Sequence, residues 1–296
     1  MGWMACIRAH AENGLAIDEL RGSARPAGGA QRRMYRVDVS IVPLGIPIFS
    51  RQGVGHATAA LHESTRDGYK TSALYFAGGS DPKRTHGLNY SGATEEIALE
   101  CGQELSAAAS FGFVTASPAE ESLEEARQRV MNAHSGGSFV VVDELHRAAR
   151  VRIRKAFVPA PEAQPGFGTL TRDVRSQFSA ARLSERELET PPPSVPATFL
   201  YRMLQASRSG ERTFISTYFH NGKFYQLECE KTPDARGATR LSGRIRDVAA
   251  RHTSTFRLWL EEGSDLPVRI EFAPRSYLRL SLQFDPEMTV DSEEEI

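Results

Sequence analysis

HTSTFRLWL (252–260), LPVRIEF (266–272) and YLRLSLQF (277–284) decide the fold class of this chain. Phe256, Leu258 and Leu260 share one face of the first stretch, Val268, Ile270 and Phe272 one face of the second, and Leu278, Leu280, Leu282 and Phe284 one face of the third. Alternation at period 2 is the pattern of a half-buried strand, so residues 252–286 read as a three-strand antiparallel meander with one continuous apolar surface. The opposite face carries Thr255, Arg257, Trp259, Arg269, Glu271, Tyr277, Arg279 and Gln283. Keeping the apolar residues together requires matched parity in both hairpins. The simplest register then sets Glu271 across from Arg279 and Arg257 across from Arg269. Opposed arginines are unfavourable unless something negative lies between them. Either Glu271 reaches them diagonally, or Arg257 and Arg269 hold a bound anion.

Working back from the meander, further β signals dominate. YRVDVSIV alternates from Tyr35, while Pro43, Gly45 and Pro47 point to an edge, bulge or bend after it. Strands are expected at 56–63, 69–76, 95–100, 110–115, 138–146 and 151–158. A hairpin is expected at 211–219 and 223–230, because His220-Asn221-Gly222 supplies an Asn-Gly turn between alternating segments. Residues 78–89, with two glycines, a proline and polar side chains, read as a loop.

Three helices are expected, near 117–133, 169–189 and 196–207. The first has Ser117 as N-cap, Pro118 at N1 and Glu120 at N3. The second repeats Leu170, Val174 and Phe178 at i+4. The third opens with Pro196 and carries Phe199, Leu200, Met203 and Leu204 on one side. The resulting organisation is a flexible segment over 1–33, one β-rich domain over 34–286 and an acidic tail over 287–296.

With 36 Lys+Arg against 37 Asp+Glu the chain has a net charge of −1, which removes the general electrostatic case for nucleic acid. No apolar run is long enough for a transmembrane helix, and Arg8, His10, Glu12 and Asn13 interrupt any signal-peptide core. Cys6, Cys101 and Cys229 form no CxxC pair and read as buried or idle thiols. No metal site and no cofactor is expected: HExxH is absent and the histidines are scattered. GVGHAT from Gly53 lacks the third glycine of a dinucleotide loop, and no GxSxG occurs. DELH at 143–146 is the nearest approach to a titratable cluster. Asp143 and Glu144 point to opposite faces of a strand, so it reads as a solvated strand end.

YRVDVSIVPLGIPIF, PPSVPATFLYRMLQASRSGERTFIS and FRLWLEEGSDLPVRIEFAPRSYLRLSLQF recur in the order found in a bacterial family, and the chain from 35 to 284 resembles that family, domain of unknown function 3108. Its members are similar to the periplasmic lipoprotein-carrier half-barrels. The resemblance implies an α+β, mostly β fold: a large twisted antiparallel sheet, an open half-barrel, packed by two or three helices. It implies a non-enzymatic carrier in the periplasm or cell envelope, holding a lipid or acyl chain against the concave face. Phe256, Leu258, Leu260, Val268, Ile270, Phe272, Leu278, Leu280 and Leu282 become the candidate ligand-binding residues. It supplies no catalytic residues. Two departures stand out, the lack of an export signal, which keeps a cytoplasmic location open, and an extra segment over 111–164. The alternatives are a structural or assembly protein that meets a protein partner, with the apolar face serving only as core, and an enzyme with a distributed site.

Overall fold

The computed structural model describes residues 31–43, 46–66, 68–81, 84, 89–102, 104–116, 138–147, 150–159, 182–189, 197–220, 222–234, 237–250 and 252–288. They form one sheet of 14 strands, with every neighbouring pair antiparallel, and one helix. The first meander is β1 (Gln31–Ile41), β2 (Phe49–Arg66), β3 (Tyr69–Ser80), β4 (Asn89–Cys101), β5 (Glu104–Ala116), β6 (Ser138–Arg147), β7 (Arg150–Pro159) and β8 (Arg182–Glu189). Helix α1 (Phe199–Arg208) follows. The second meander is β9 (Thr213–His220), β10 (Lys223–Pro233), β11 (Thr239–Asp247), β12 (Thr253–Leu260), β13 (Arg269–Arg275) and β14 (Leu278–Phe284). The two meanders are stitched by β1 against β14, and the sheet is left open with β8 and β9 at its edges. This is the mostly β, open antiparallel architecture expected of the sequence.

The C-terminal parity is as read. Leu258 opposes Ile270, Ile270 opposes Leu282 and Leu282 opposes Val37, so one apolar row runs from β12 to β1. Helix α1 lies on this concave side. Thr198 caps it by accepting from the Tyr201 amide at 3.4 Å, and Ser209, in extended backbone, ends it. Met203 and Ala206 pack with Leu227, Cys229, Leu241, Ile245, Phe256 and Leu260, and Leu204 packs with Tyr35, Leu61, Leu74, Leu266 and Leu282. Burial pushes the Cys229 thiol up to about 11, which leaves it an inert apolar filler.

Several expectations change. The registers of both hairpins differ by two residues: across β12 and β13 Arg257 faces Glu271 and Trp259 faces Arg269, and across β13 and β14 Glu271 faces Ser281 rather than Arg279, which lies opposite Ser40 of β1. For β12 and β13 the cause is the connection before β13. Leu266 is buried there, and the Pro267 carbonyl accepts from the Tyr35 hydroxyl at 2.7 Å, so β13 begins only at Arg269. Strand β11 joins the meander as a further member. Its central Gly243 hides the alternation, and a Cβ there would stand 2.2 Å from the Glu228 carbonyl oxygen and 2.7 Å from Phe256. The glycine marks a close approach of backbones.

The helix expected over 169–189 is corrected at its C-terminal part, because residues 182–189 are strand β8. RLSERELE has good helix formers, but its backbone pairs with β7 from Phe157↔Arg182 to Arg150↔Glu189, and pairing with a neighbouring strand overrides local propensity. The remainder of that helix and the one near 117–133 lie outside the described residues. The third helix begins at Phe199 rather than near Pro196, since Thr198 is the cap. Strand β1 begins at Gln31, inside the segment read as flexible, and Gly78–Ser80 and Asn89 belong to β3 and β4 rather than to a loop. GVGHAT lies within β2, with no strand-to-helix turn of the kind a phosphate loop needs.

Candidate functional site

The outer face of the meander resolves the arginine question internally. Glu271, nearly buried, accepts from Arg257 Nη1 at 3.4 Å through Oε2 and from Arg269 Nη2 at 2.5 Å through Oε1. Arg269 also lies over the Trp259 ring, 4.8 Å from its centroid. An open groove of about 510 Å³ runs alongside, lined by Arg244, Arg257 and Arg279 but equally by Glu228, Glu230 and Glu271. With the two signs in balance it has no surplus positive charge for an anion.

On the inner face the nine candidate residues divide. Phe256, Leu260 and Leu282 are buried, whereas Leu258, Val268, Ile270, Phe272, Leu278 and Leu280 are half-buried. The helix covering them is tied down at both ends. Arg208 donates bidentately to Glu63 at 2.7 and 2.6 Å and also reaches Asp265 at 3.1 and 2.7 Å. The arginine holds the Glu63 carboxyl below its ordinary range. Lys231 Nζ donates to the Ser207 and Ser209 carbonyls at 2.6 and 2.9 Å, complementing the negative helix end. Edge strand β9 is covered as well: the Phe219 amide donates to the Ala197 carbonyl, and buried Arg202 donates to the Thr217 carbonyl at 3.3 Å.

Beyond the N-terminus of α1 the concave face turns polar. Glu96 of β4 and Glu144 of β6 both oppose Ala109 of β5, so two carboxyls stand in one row with a small residue between them. Both are buried, at 5% and 0% exposure. Glu96 Oε2 accepts from the Leu200 amide at 2.9 Å, and its carboxyl also bonds Thr198. Burial nevertheless pushes Glu96 up to about 7; the Thr198 and Leu200 bonds oppose the rise, and the Glu144 charge adds to it. Glu144 Oε1 accepts from the Gly222 amide at 2.9 Å, in the Asn-Gly turn where Gly222 has φ +75°. His146, two residues along the same face and fully buried, places Nε2 3.9 Å from Glu144 Oε2 and meets the Phe219 ring edge-on at 5.6 Å.

DELH is therefore no solvated strand end. Glu144 and His146 clasp the β9–β10 turn onto β6, and the signal available in the sequence was their i, i+2 spacing rather than the Asp143–Glu144 neighbours. Glu96 had no such signal. Among the described residues, Glu144 Oε2 and both His146 ring nitrogens have no hydrogen-bond partner, and no group of three metal-donor side chains occurs. Among the same residues no helix is long and apolar enough to cross a membrane.

No family model matches the chain, and no curated protein matches it. Among solved structures it is similar to a β-barrel-like protein of a domain of unknown function, DUF1849, from Brucella abortus, at 9% identity, over 86% of this chain and 94% of that one, with a TM-score of 0.38.

Proposed function

We propose that the chain is a non-enzymatic binding or carrier protein that holds a lipid-like or other apolar ligand against the concave face of its sheet. One observation carries this reading: six inward-facing residues, Leu258, Val268, Ile270, Phe272, Leu278 and Leu280, stay half-buried although they belong to the core side. The helix over that side has 10 residues and, at 1.5 Å per residue, spans about 15 Å. An apolar ligand completing the cover would contribute roughly 25 cal/mol for each Å² removed from water, before association costs. The resemblance to the domain 3108 family and its lipoprotein-carrier-like half-barrels supports the same reading. A place in the cell envelope belongs to the same proposal.

Native mass spectrometry of the full chain, followed by solvent extraction, tests it. A co-purifying acyl species, or saturable uptake of a fluorescent acyl probe that weakens on Ile270→Glu, is the expected result. Folded protein that carries nothing and takes up nothing overturns the carrier reading. It would favour a structural or assembly protein, for which the anchoring of α1 at both ends is the supporting observation.

A further inference from the structure

Six of the seven large apolar side chains that stand exposed among the described residues lie at one end of the sheet. Ile41, Ile46, Ile48 and Phe49 surround the β1–β2 connection, Tyr277 is in the β13–β14 turn, and Val248 follows β11. They are neighbours. Ile41 faces Phe49 across β1 and β2, the Ile48 amide donates to the Ile41 carbonyl at 3.0 Å, and the Val42 amide donates to the Tyr277 carbonyl at 2.7 Å. The Val248 turn is drawn alongside by His252, whose Nε2 lies 2.7 Å from the Pro274 carbonyl oxygen. Single exposed apolar residues are ordinary, whereas a contiguous group marks a contact surface. The exposure is built in: Pro43 and Pro47 restrict the connection, the Ile46 amide donates to the Pro43 carbonyl at 3.0 Å, and Ile46 and Ile48 are left 64% and 69% exposed.

Charge identifies the partner. The three stretches that meet here, 39–62, 248–260 and 272–284, contain no Asp or Glu. Arg51 of β2 lies two positions from Phe49, and Arg275 of β13 and Arg279 of β14 each lie two positions from Tyr277. The carboxylates towards the same end of their strands are already taken up by cations, Asp38 by Arg36 at 3.4 Å, Asp81 by Arg84 at 3.7 Å and Asp247 by Lys223 at 3.3 Å. The tip is therefore apolar with a positive border. A second copy of the chain is a poor occupant, because a two-fold contact would set arginines against arginines with no carboxylate between them. An anionic lipid surface supplies phosphates for the arginines and an apolar interior for the isoleucines.

The tip also continues the concave face. Phe49, Ile41 and Leu278 form one row across β2, β1 and β14, and Val39 and Leu280 stand in the next row on the same side. We propose that this end of the sheet docks on an anionic lipid surface. Ile46 and Ile48 enter the interface, Phe49 and Tyr277 lie at headgroup level, and Arg51, Arg275 and Arg279 meet the phosphates. The docking stands apart from the carrier reading, since it needs no ligand in the sheet. Where both hold, the concave face opens toward the bilayer.

Co-sedimentation of the full chain with vesicles tests it, using phosphatidylcholine alone and phosphatidylcholine with phosphatidylglycerol in equal parts. The mixed vesicles should bind about tenfold or more tighter than the neutral ones, and the difference should shrink at about 0.5 M salt. Ile46→Ser/Ile48→Ser should weaken binding to the mixed vesicles about tenfold or more. Both side chains are exposed, so an unchanged melting temperature shows that the variant keeps its fold. Ile215→Ser is the control: Ile215 is 66% exposed on β9, near the strand end away from this tip, and its loss should leave vesicle binding unchanged. Binding to neither vesicle, equal binding to both, or an equal loss in Ile215→Ser overturns the proposal. So does a dimer in sedimentation equilibrium that Ile46→Ser/Ile48→Ser dissociates while the wild type ignores vesicles, which would give the surface to a second copy. Uptake of an acyl probe without vesicle binding overturns the docking alone, and vesicle binding without uptake overturns the carrier reading alone.

Discussion

Glu96 of β4 accepts the Leu200 amide of α1 at 2.9 Å, so a buried carboxyl from the first meander sits at the positive end of the helix that covers the second. This bond couples the docking of α1 to protonation. Among the described residues, the groups that act on Glu96 are Thr198, the Leu200 amide and Glu144, and its charge in turn reaches Tyr218.

The Glu96 carboxyl is raised from 4.5 to about 7 in the folded chain. A raised value means that the folded state keeps a proton the unfolded state releases, so this contribution is full below about 4.5 and is lost as pH rises through about 7. Glu96→Gln, which can still accept from Leu200, should match the wild type near pH 4.5. It should exceed the wild type at pH 8 by something of the order of 3 kcal/mol. Urea unfolding at the two pH values measures it, and parallel wild-type and variant profiles would refute the coupling.

Arg208 should behave as a hub. Its guanidinium serves Glu63 and Asp265 at once, with all three side chains only partly exposed, at 31%, 30% and 22%. Arg208→Ala should cost about 1–2 kcal/mol, more than a free surface pair and less than a buried one. The Glu63 carboxyl is depressed, so its share is present above its unfolded value and fades as pH falls through the folded one. A double-mutant cycle of Arg208→Ala with Glu63→Gln should give a coupling energy that shrinks in acid; a cycle with no coupling at neutral pH contradicts the hub.

The parity of the C-terminal strands was legible because alternation is local: Phe256, Leu258 and Leu260 announce their face without help from elsewhere. Their register was not, since it depends on the Tyr35 hydroxyl binding the Pro267 carbonyl across 232 positions. The candidate apolar residues could be named from the sequence, but the polar corner could not. Glu144 and His146 are buried by the β9–β10 turn, 78 positions further on, and nothing near residue 144 foretells that cover. β8 was misread for a related reason, since its partner strand decides between helix and sheet where the local pattern permits both.

Gly243→Ala should be among the more damaging small substitutions in the second meander. The new methyl would press on the Glu228 carbonyl at 2.2 Å, and that backbone oxygen cannot rotate away as a side chain would. Overpacking of this kind costs typically about 1–3 kcal/mol. Thermal unfolding should show the loss, whereas Gly210→Ala, where nothing lies within 4 Å of the added carbon, should be near neutral. Equal effects at the two glycines would show that the close β10–β11 approach relaxes freely.

Glu271→Ala leaves Arg257 and Arg269 flanking an empty position on the outer face. Both arginine side chains are about half exposed, at 54% and 47%, so solvent screens their repulsion and the loss should be about 1–2 kcal/mol. Removing the internal carboxylate makes an external anion useful where the native sheet has no need of one. Sulfate at millimolar concentration should therefore raise the melting temperature of Glu271→Ala more than that of the wild type, and the difference should vanish in Glu271→Ala/Arg257→Ala. If sulfate stabilises the wild type as much as the variant, Glu271 does not satisfy the two arginines in solution, and the outer groove has an anion site of its own.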